Sequence, residues 1–173
     1  FEGADLVRCV SPISGSRLED VAITGEGIID GSGQAWRPVK KSKMTAAQWK
    51  QLVASGGAVT PDGSTWWPSK EALGGAEYVE KLYARFRGDS LDRSGLPKEI
   101  PLDEFRGARE FLRPVMVSLV ECRRVLLDGP TFQNSPAWNI HPLLCEDLVI
   151  RNLTVFNPWY SQNGDGLDLD SCR

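Results

Sequence analysis

A chain of 173 residues, 41% hydrophobic and 25% charged, is long enough for one domain with a sizeable core and too apolar to remain disordered. Its net charge of -3, with no basic run, argues against nucleic acid or an anionic membrane surface as a partner, and no apolar run is long enough to span a bilayer. Cys9, Cys122, Cys145 and Cys172 contain no CxxC and His141 is the only histidine, so no zinc site is expected. The sequence opens on Phe1 and stops at Arg173 directly after an acidic cluster; it reads as a piece of something longer, continuing beyond Arg173.

Residues 1–34 read as short strands broken by Gly and Ser. Their clearest phrase is LEDVAITGEGIIDGSG, in which Val21 and Ile23 alternate with polar neighbours and Ile28 and Ile29 follow a Gly-Glu-Gly turn. Residues 35–112 change character and read as a partly helical insertion. A helix is expected at about 45–55, with Thr45 as N-cap, Gln48 at the capping-box position and Gly56 and Gly57 ending it. Pro61, Asp62 and Gly63 make a turn. A second helix is expected from about 69 to 87, with Tyr78, Leu82 and Phe86 on one apolar face beside Val79 and Tyr83. Residues 88–112 read as polar and loop-rich. Trp36, Trp49, Trp66 and Trp67 fall in this stretch; they suit stacking on sugar rings or, more in keeping with an insertion, a small satellite core.

From residue 113 the pattern repeats. Val125–Asn134 laid over Leu148–Asn157 aligns at an offset of 23, with Leu127 over Ile150, Phe132 over Val155, and identities at Thr131/Thr154 and Asn134/Asn157. Cys122 and Cys145 share that spacing, and Cys172 follows 27 after Cys145. The early phrase joins at an offset of 104, placing Val21 on Val125, Ile23 on Leu127, Ile28 on Phe132 and Asp30 on Asn134. A period in the low twenties, with strands rich in Val, Ile and Leu and turns bearing Asn and Gly, has room for two or three strands and no helix. The expected fold is all-β, a right-handed parallel β-helix (solenoid): one partial domain over 1–173, with 113–173 as regular coils and the insertion leaving from one turn, where a long loop costs little.

Aligned on the cysteines, Val117, Ile140 and Leu167 form an inward column; Ser118, His141 and Asp168 form the next, facing the other way. Val115, Trp138 and Asp165 form a third at the strand's start. Strict alternation would bury Asp165, and Gly166 beside it would free the carboxylate to point out. Cys122, Cys145 and Cys172 are expected as small core residues and not as disulfides. One open face then carries Trp138, His141, Asp165 and Asp168: an aromatic, an imidazole and clustered carboxylates. That set suits a carbohydrate, since glycosidic cleavage needs an acid for the leaving oxygen and a carboxylate to activate water. The acidic tail by itself also fits a calcium loop or an ordinary acidic turn.

The phrases DVAITGEGIIDGSG, NSPAWNIHP and NGDGLDLDSC resemble those of family 28 glycoside hydrolases, the polygalacturonase-type pectin-degrading enzymes, over residues 1–36 and about 113–173. The resemblance implies hydrolysis with inversion. It implies Asp165 as a carboxylate that activates water, Asn163 shaping the adjoining subsite and Asp168 supporting or binding substrate. His141 and Trp138, one coil earlier, are candidate substrate contacts, with a structural role for His141 equally open; Asp170 is left as a turn or ladder residue. It implies a pectic oligo- or polysaccharide as partner, no cofactor and no metal, and a periplasmic or secreted location. The family's general acid lies in an Asp-Asp pair one coil later, followed by Gly-His-Gly and Arg-Ile-Lys motifs, none of which this sequence contains. The fragment alone is therefore expected to be inactive, with the missing C-terminal part supplying the rest. Two rivals predict otherwise: a non-catalytic polysaccharide-binding or structural β-helix, and a calcium-dependent β-helix pectate lyase. The sugar linkage is open, and a large early insertion that blocked one end of a groove would favour exo attack.

Overall fold

The computed structural model describes residues 7–86 and 100–173; the expectations for residues 1–6, for the end of the second helix at 87 and for the loop at 88–99 lie outside the described residues. In chain order the elements are β1 (Ile13–Ser16), β2 (Glu19–Thr24), β3 (Ile28–Asp30), β4 (Val39–Lys40), α1 (Ala46–Ala54), β5 (Ala58–Val59), β6 (Thr65–Trp67) and α2 (Lys70–Arg85). They continue with β7 (Val117–Val120), β8 (Arg123–Asp128), β9 (Thr131–Gln133), β10 (Ile140–Leu143), β11 (Glu146–Arg151) and β12 (Thr154–Phe156). The chain divides into two compact units.

The unit of Val10–Val39 and Pro114–Arg173 consists of three parallel three-stranded sheets, ordered β1-β7-β10, β2-β8-β11 and β3-β9-β12. The chain visits the three sheets in the same sequence three times, so each pass is one rung. Between the second and third rungs the 23-residue offset holds in every sheet: Val117 faces Ile140, Val125 faces Leu148 and Phe132 faces Val155. Bridges from Ile140 to Leu167 and from Leu143 to Asp170 carry the 27-residue offset onward. The rungs stack because the middle one buries alternate residues: Val117, Leu119, Val125, Leu127 and Phe132 are all core. Ile13, Val21, Ile23 and Ile29 cover them from the first rung, and Ile140, Leu148, Ile150 and Val155 from the third. Leu167 continues the Val117/Ile140 column but is 43% exposed, because no described strand lies beyond it.

The expected register fails in one sheet. Val21 and Ile23 do face Val125 and Leu127, but Ile29, not Ile28, faces Phe132, and Asp30 faces Gln133 instead of Asn134. The first rung turns its corner with Gly25, Glu26 and Gly27, where the second uses only Gly129 and Pro130. One extra residue exchanges the two faces of the following strand. Ile28 is accordingly 67% exposed while Ile29 packs on the core.

Cys122 and Cys145 are wholly buried, Cys172 packs at the edge of the same cluster, and all are free thiols. The Cys145 thiol donates to the Leu119 carbonyl at 3.4 Å, and burial pushes its pKa up, which keeps it protonated and inert. They are small core residues, as the sequence suggests.

The corners repeat in backbone conformation even where they differ in length. Arg17, Glu121, Leu144 and Ser171 all have φ between 51° and 54°, and Asp20, Arg124 and Asp147 between 52° and 55°. A third column comprises Gly25, Gly129 and Asn152, with φ of 107°, 98° and 54°. Left-handed backbone costs an ordinary residue about 1 kcal/mol, so each corner must be fixed by its neighbours. Exposed ion pairs between rungs, Arg17–Glu121, Arg123–Glu146 and Arg124–Asp20, lie along these corners, where solvent screening leaves them little weight in stability. At Gly129 a Cβ would also lie 2.7 Å from the Gly25 carbonyl oxygen. Gly129→Ala is therefore expected to destabilise by about 1–3 kcal/mol, read as a lower denaturant midpoint with an unchanged slope.

The unit of Lys40–Arg113, with the N-terminal residues through Cys9, is the mixed one. α1 opens as expected: the Thr45 side chain accepts from the Gln48 amide and Gln48 reaches back to the Thr45 amide. Gly56 and Gly57 follow at φ of 111° and 78°. α2 is capped by Ser69, and most of the expected face packs inward: Leu82 is buried and Val79, Tyr83 and Phe86 are half-buried, joined by Ala72 and Gly75, whereas Tyr78 is 39% exposed. Gly75 extends that face, because it lets Phe111 approach so closely that a Cβ would lie 2.1 Å from the Phe111 Cβ. Tyr78 instead donates its hydroxyl to the Glu104 carbonyl at 2.8 Å. Within the stretch read as loop, Leu102–Ala108 forms a 3-10 helix. Of the tryptophans, Trp66 is buried with Nε1 donating to the Gly56 carbonyl at 2.7 Å, and Trp67 tilts against Phe111 at 5.9 Å. Lys41 stands 5.9 Å over the Trp49 ring. Trp36 belongs to the other unit, because that unit runs through Val39 and not to residue 34.

Candidate functional site

The expected site residues sit on the third rung and on the segment that follows it. The phrase Asn134–Asn139 links β9 to β10, and its start is held by a buried cation. Arg37 is only 2% exposed; its NH1 donates to the Ser135 carbonyl at 2.8 Å and its NH2 to Asn134 Oδ1 at 2.6 Å. Burial lowers its pKa, opposed by Tyr160 and Asp30, and a guanidinium remains charged at neutral pH. Gly33 makes room for this contact: a Cβ there would lie 2.4 Å from the Ser135 carbonyl oxygen and 2.8 Å from Arg37 Cζ. Asn134 in turn donates to Asp30 at 3.2 Å, while the Ser32 amide and Gln133 also donate to that carboxylate and hold it below the ordinary range.

Ser135 is wholly buried and is the hub of the segment. Its hydroxyl donates to the Trp138 carbonyl at 2.8 Å, and its amide donates to Asn157 Oδ1 at 2.9 Å. Trp138 and His141 are half-buried and their rings meet edge to face at 5.3 Å and 66°. Alternation in a strand would separate residues three apart; Trp138 precedes β10, and the irregular backbone before the strand brings the rings together.

The acidic segment lies beside them. Asn139 donates its backbone amide at 2.9 Å and its side-chain amide at 3.3 Å to the Asp165 carbonyl, and Ile140 donates to Gly166. Asp168 donates its amide to the Ile140 carbonyl at 2.9 Å. The register set by Ile140 and Leu167 thus puts Asp165 next to Trp138 and Asp168 next to His141. Asp165 is exposed and Asp168 half-buried, so Asp165 is free of the burial that strict alternation would impose. Asn163 is exposed and left-handed, at φ 54°, in the turn that enters this segment. Asp170 bridges Leu143 and accepts from the Ser171 hydroxyl, as a ladder residue would. Among the described residues no three His, Cys, Asp or Glu side chains converge as a metal ion would need.

Three residues of this neighbourhood escaped the sequence reading. Arg37 looks like an ordinary surface charge, and only its partners, almost a hundred positions away, reveal it. Ser135 has no distinguishing context. Asn157 was visible as the repeat of Asn134, but not as a link: its Nδ2 donates to the Gly164 carbonyl at 2.7 Å.

No family model matches the sequence. A probable polygalacturonase of Vitis vinifera is 33% identical over 66 residues, which is 38% of this chain and 13% of that protein. Among solved structures, a hyperthermoactive exopolygalacturonase from Thermotoga maritima superposes with a TM-score of 0.51 at 26% identity, covering 94% of this chain and 30% of that one. A family 28 exopolygalacturonase from Yersinia enterocolitica gives 0.49 at 19% identity, covering 98% of this chain and 27% of that one. The chain is similar to polygalacturonases and spans less than a third of the length of each of these relatives. No described helix is long and apolar enough to cross a membrane.

Proposed function

We propose that the chain is the N-terminal portion of a right-handed parallel β-helix of the family 28 glycoside hydrolase type, cleaving glycosidic bonds in a pectic polysaccharide of galacturonan or rhamnogalacturonan kind. The observation that carries this reading is the register that lays Asp165 of the NGDG segment alongside Trp138 and Asp168 alongside His141, in a chain similar to polygalacturonases. In this reading Asp165 is one of the carboxylates that activate water, and Asn163 and Asp168 line the subsite around it. Trp138 offers a face for a sugar ring, and His141 a hydrogen-bonding edge. The general acid belongs to a rung after Arg173. An inverting pair works with its carboxyl groups about 6.5–9.5 Å apart, leaving space for the water, and residues on adjacent rungs of a stack reach such a separation. A polymer outside the cell places the enzyme in the periplasm or in secreted form.

The test is reducing-sugar release from polygalacturonate and rhamnogalacturonan by the full-length protein, with the product anomer followed by NMR. Release with inversion is the expected result. Binding of oligogalacturonate with no release would favour a non-catalytic binding β-helix. An unsaturated, ultraviolet-absorbing product lost on chelation would replace hydrolysis by calcium-dependent elimination.

A further inference from the structure

We infer that Asn157 is a positioning residue for the candidate site: its side chain clamps the Gly164–Asp165 backbone to the Ser135 hub that also holds Trp138. The inference rests on the hydrolase reading for its catalytic meaning, but its geometry is independent of that reading. Asn157 leaves β12 at the end of the third rung and uses both ends of its amide. Oδ1 accepts from the Ser135 amide at 2.9 Å, and Nδ2 donates to the Gly164 carbonyl at 2.7 Å. Ser135 passes the restraint on in two directions, through its hydroxyl to the Trp138 carbonyl and through its carbonyl to buried Arg37. Gly164 is the residue before Asp165, whose own carbonyl takes two donors from Asn139. The aromatic and the acidic sides of the site are thereby referred to one buried serine.

The rung below shows what the same position does without a site to hold. Asn134, which repeats as Asn157, spends its amide on Asp30 of the first rung and on Gln34 and Arg37 of the segment that follows it, none of them near the acidic tail in sequence. Asn157 spends its amide across a loop. Pro158–Asn163 joins no sheet, and the loop closes tightly: a Cβ on Gly164 would lie 2.8 Å from the Ser161 Cβ and 3.3 Å from Asn157 Nδ2. A tight loop with a single residue feeding the reacting carboxylate is where a small displacement costs most rate, since about 1 Å of misplacement is worth about a hundredfold.

Two variants separate the halves of the clamp. Asn157→Ala removes both bonds. Asn157→Asp keeps an acceptor for the Ser135 amide and turns the donor facing Gly164 into an oxygen that repels its carbonyl. Amide hydrogen exchange reads the result directly, because the Asn139 amide is bonded to the Asp165 carbonyl and reports where that backbone lies. Exchange at Asn139 is expected to rise about tenfold in both variants, and at Ser135 in Asn157→Ala only, with Val125 and Leu127 unchanged. In the full-length protein both variants should lose about tenfold or more in kcat with little change in KM. Wild-type protection at Asn139 in both variants would overturn the inference, as would faster exchange spread evenly through β8, which would mark loosening of the whole stack. Should the wild-type protein release no sugar, the hydrolase reading fails by itself while the exchange measurement still decides the clamp.

Discussion

Asp165→Asn is expected to abolish sugar release almost completely, by at least about a hundredfold in kcat in the full-length protein, because in the proposed mechanism it removes the charge that takes a proton from water. The structure makes the substitution clean. The Asp165 main chain is fixed by two donors from Asn139, and neither involves its carboxylate. The side chain is exposed, so an amide of the same shape leaves folding stability within about 0.5 kcal/mol of wild type. Affinity for oligogalacturonate should survive or rise, since a like charge has been removed next to an anionic polymer. Kinetics with and without the variant, beside a melting curve, check all three. An undiminished rate would remove Asp165 from the chemistry and transfer attention to Asp168.

Phe132→Ala should cost about 3–5 kcal/mol of folding stability, the range for truncating a large buried aromatic. Phe132 is wholly buried in the middle rung, between Ile29 of the first and Val155 of the third, so rungs lie on both sides and neither can collapse into the space. The matched control is Ile28→Ala. The sequence alignment places Ile28 on Phe132, which would make it core; the structure leaves it 67% exposed, and its truncation should stay within about 0.5 kcal/mol. Ile29→Ala should cost more than Ile28→Ala. Denaturant midpoints for the three variants check the register as well as the core; equal losses at Ile28 and Ile29 would contradict it.

That pair of isoleucines also shows what a sequence can reveal of such a fold. Stacking puts like residues on like, so the echo between Val125–Asn134 and Leu148–Asn157 was legible without any coordinates, as were the Cys122/Cys145 column and the neighbours of Trp138 and His141. Thr45 and Gln48 announced the start of α1 because a capping box is local chemistry. The slip at Ile28 was hidden because it depends on how many residues a corner consumes, and Gly25–Gly27 carries no count. The left-handed corners at Arg17, Glu121 and Leu144 were hidden as well: their side chains have no preference for that backbone, and the stack alone imposes it. On α2 the apolar spacing found Leu82 and its half-buried neighbours Val79, Tyr83 and Phe86; Tyr78 shares that spacing yet stays 39% exposed, and the contact of Gly75 with Phe111 carried no signal in the sequence. Arg37 lay out of reach of any local pattern, since its burial is settled by Asn134 and Ser135.

The corners differ in length from rung to rung while the strands keep their pairing, and that tolerance has a practical use. At the corner of Gly25–Gly27 the chain is exposed, and neither Gly25 nor Gly27 has a neighbouring atom within 4 Å of where a side chain would begin. A fluorophore attachment site or an affinity tag spliced in at Glu26 would hang free in solvent, with β2 and β3 still zipped to β8 and β9. The molecule thus offers a handle for immobilisation well away in sequence from the acidic segment.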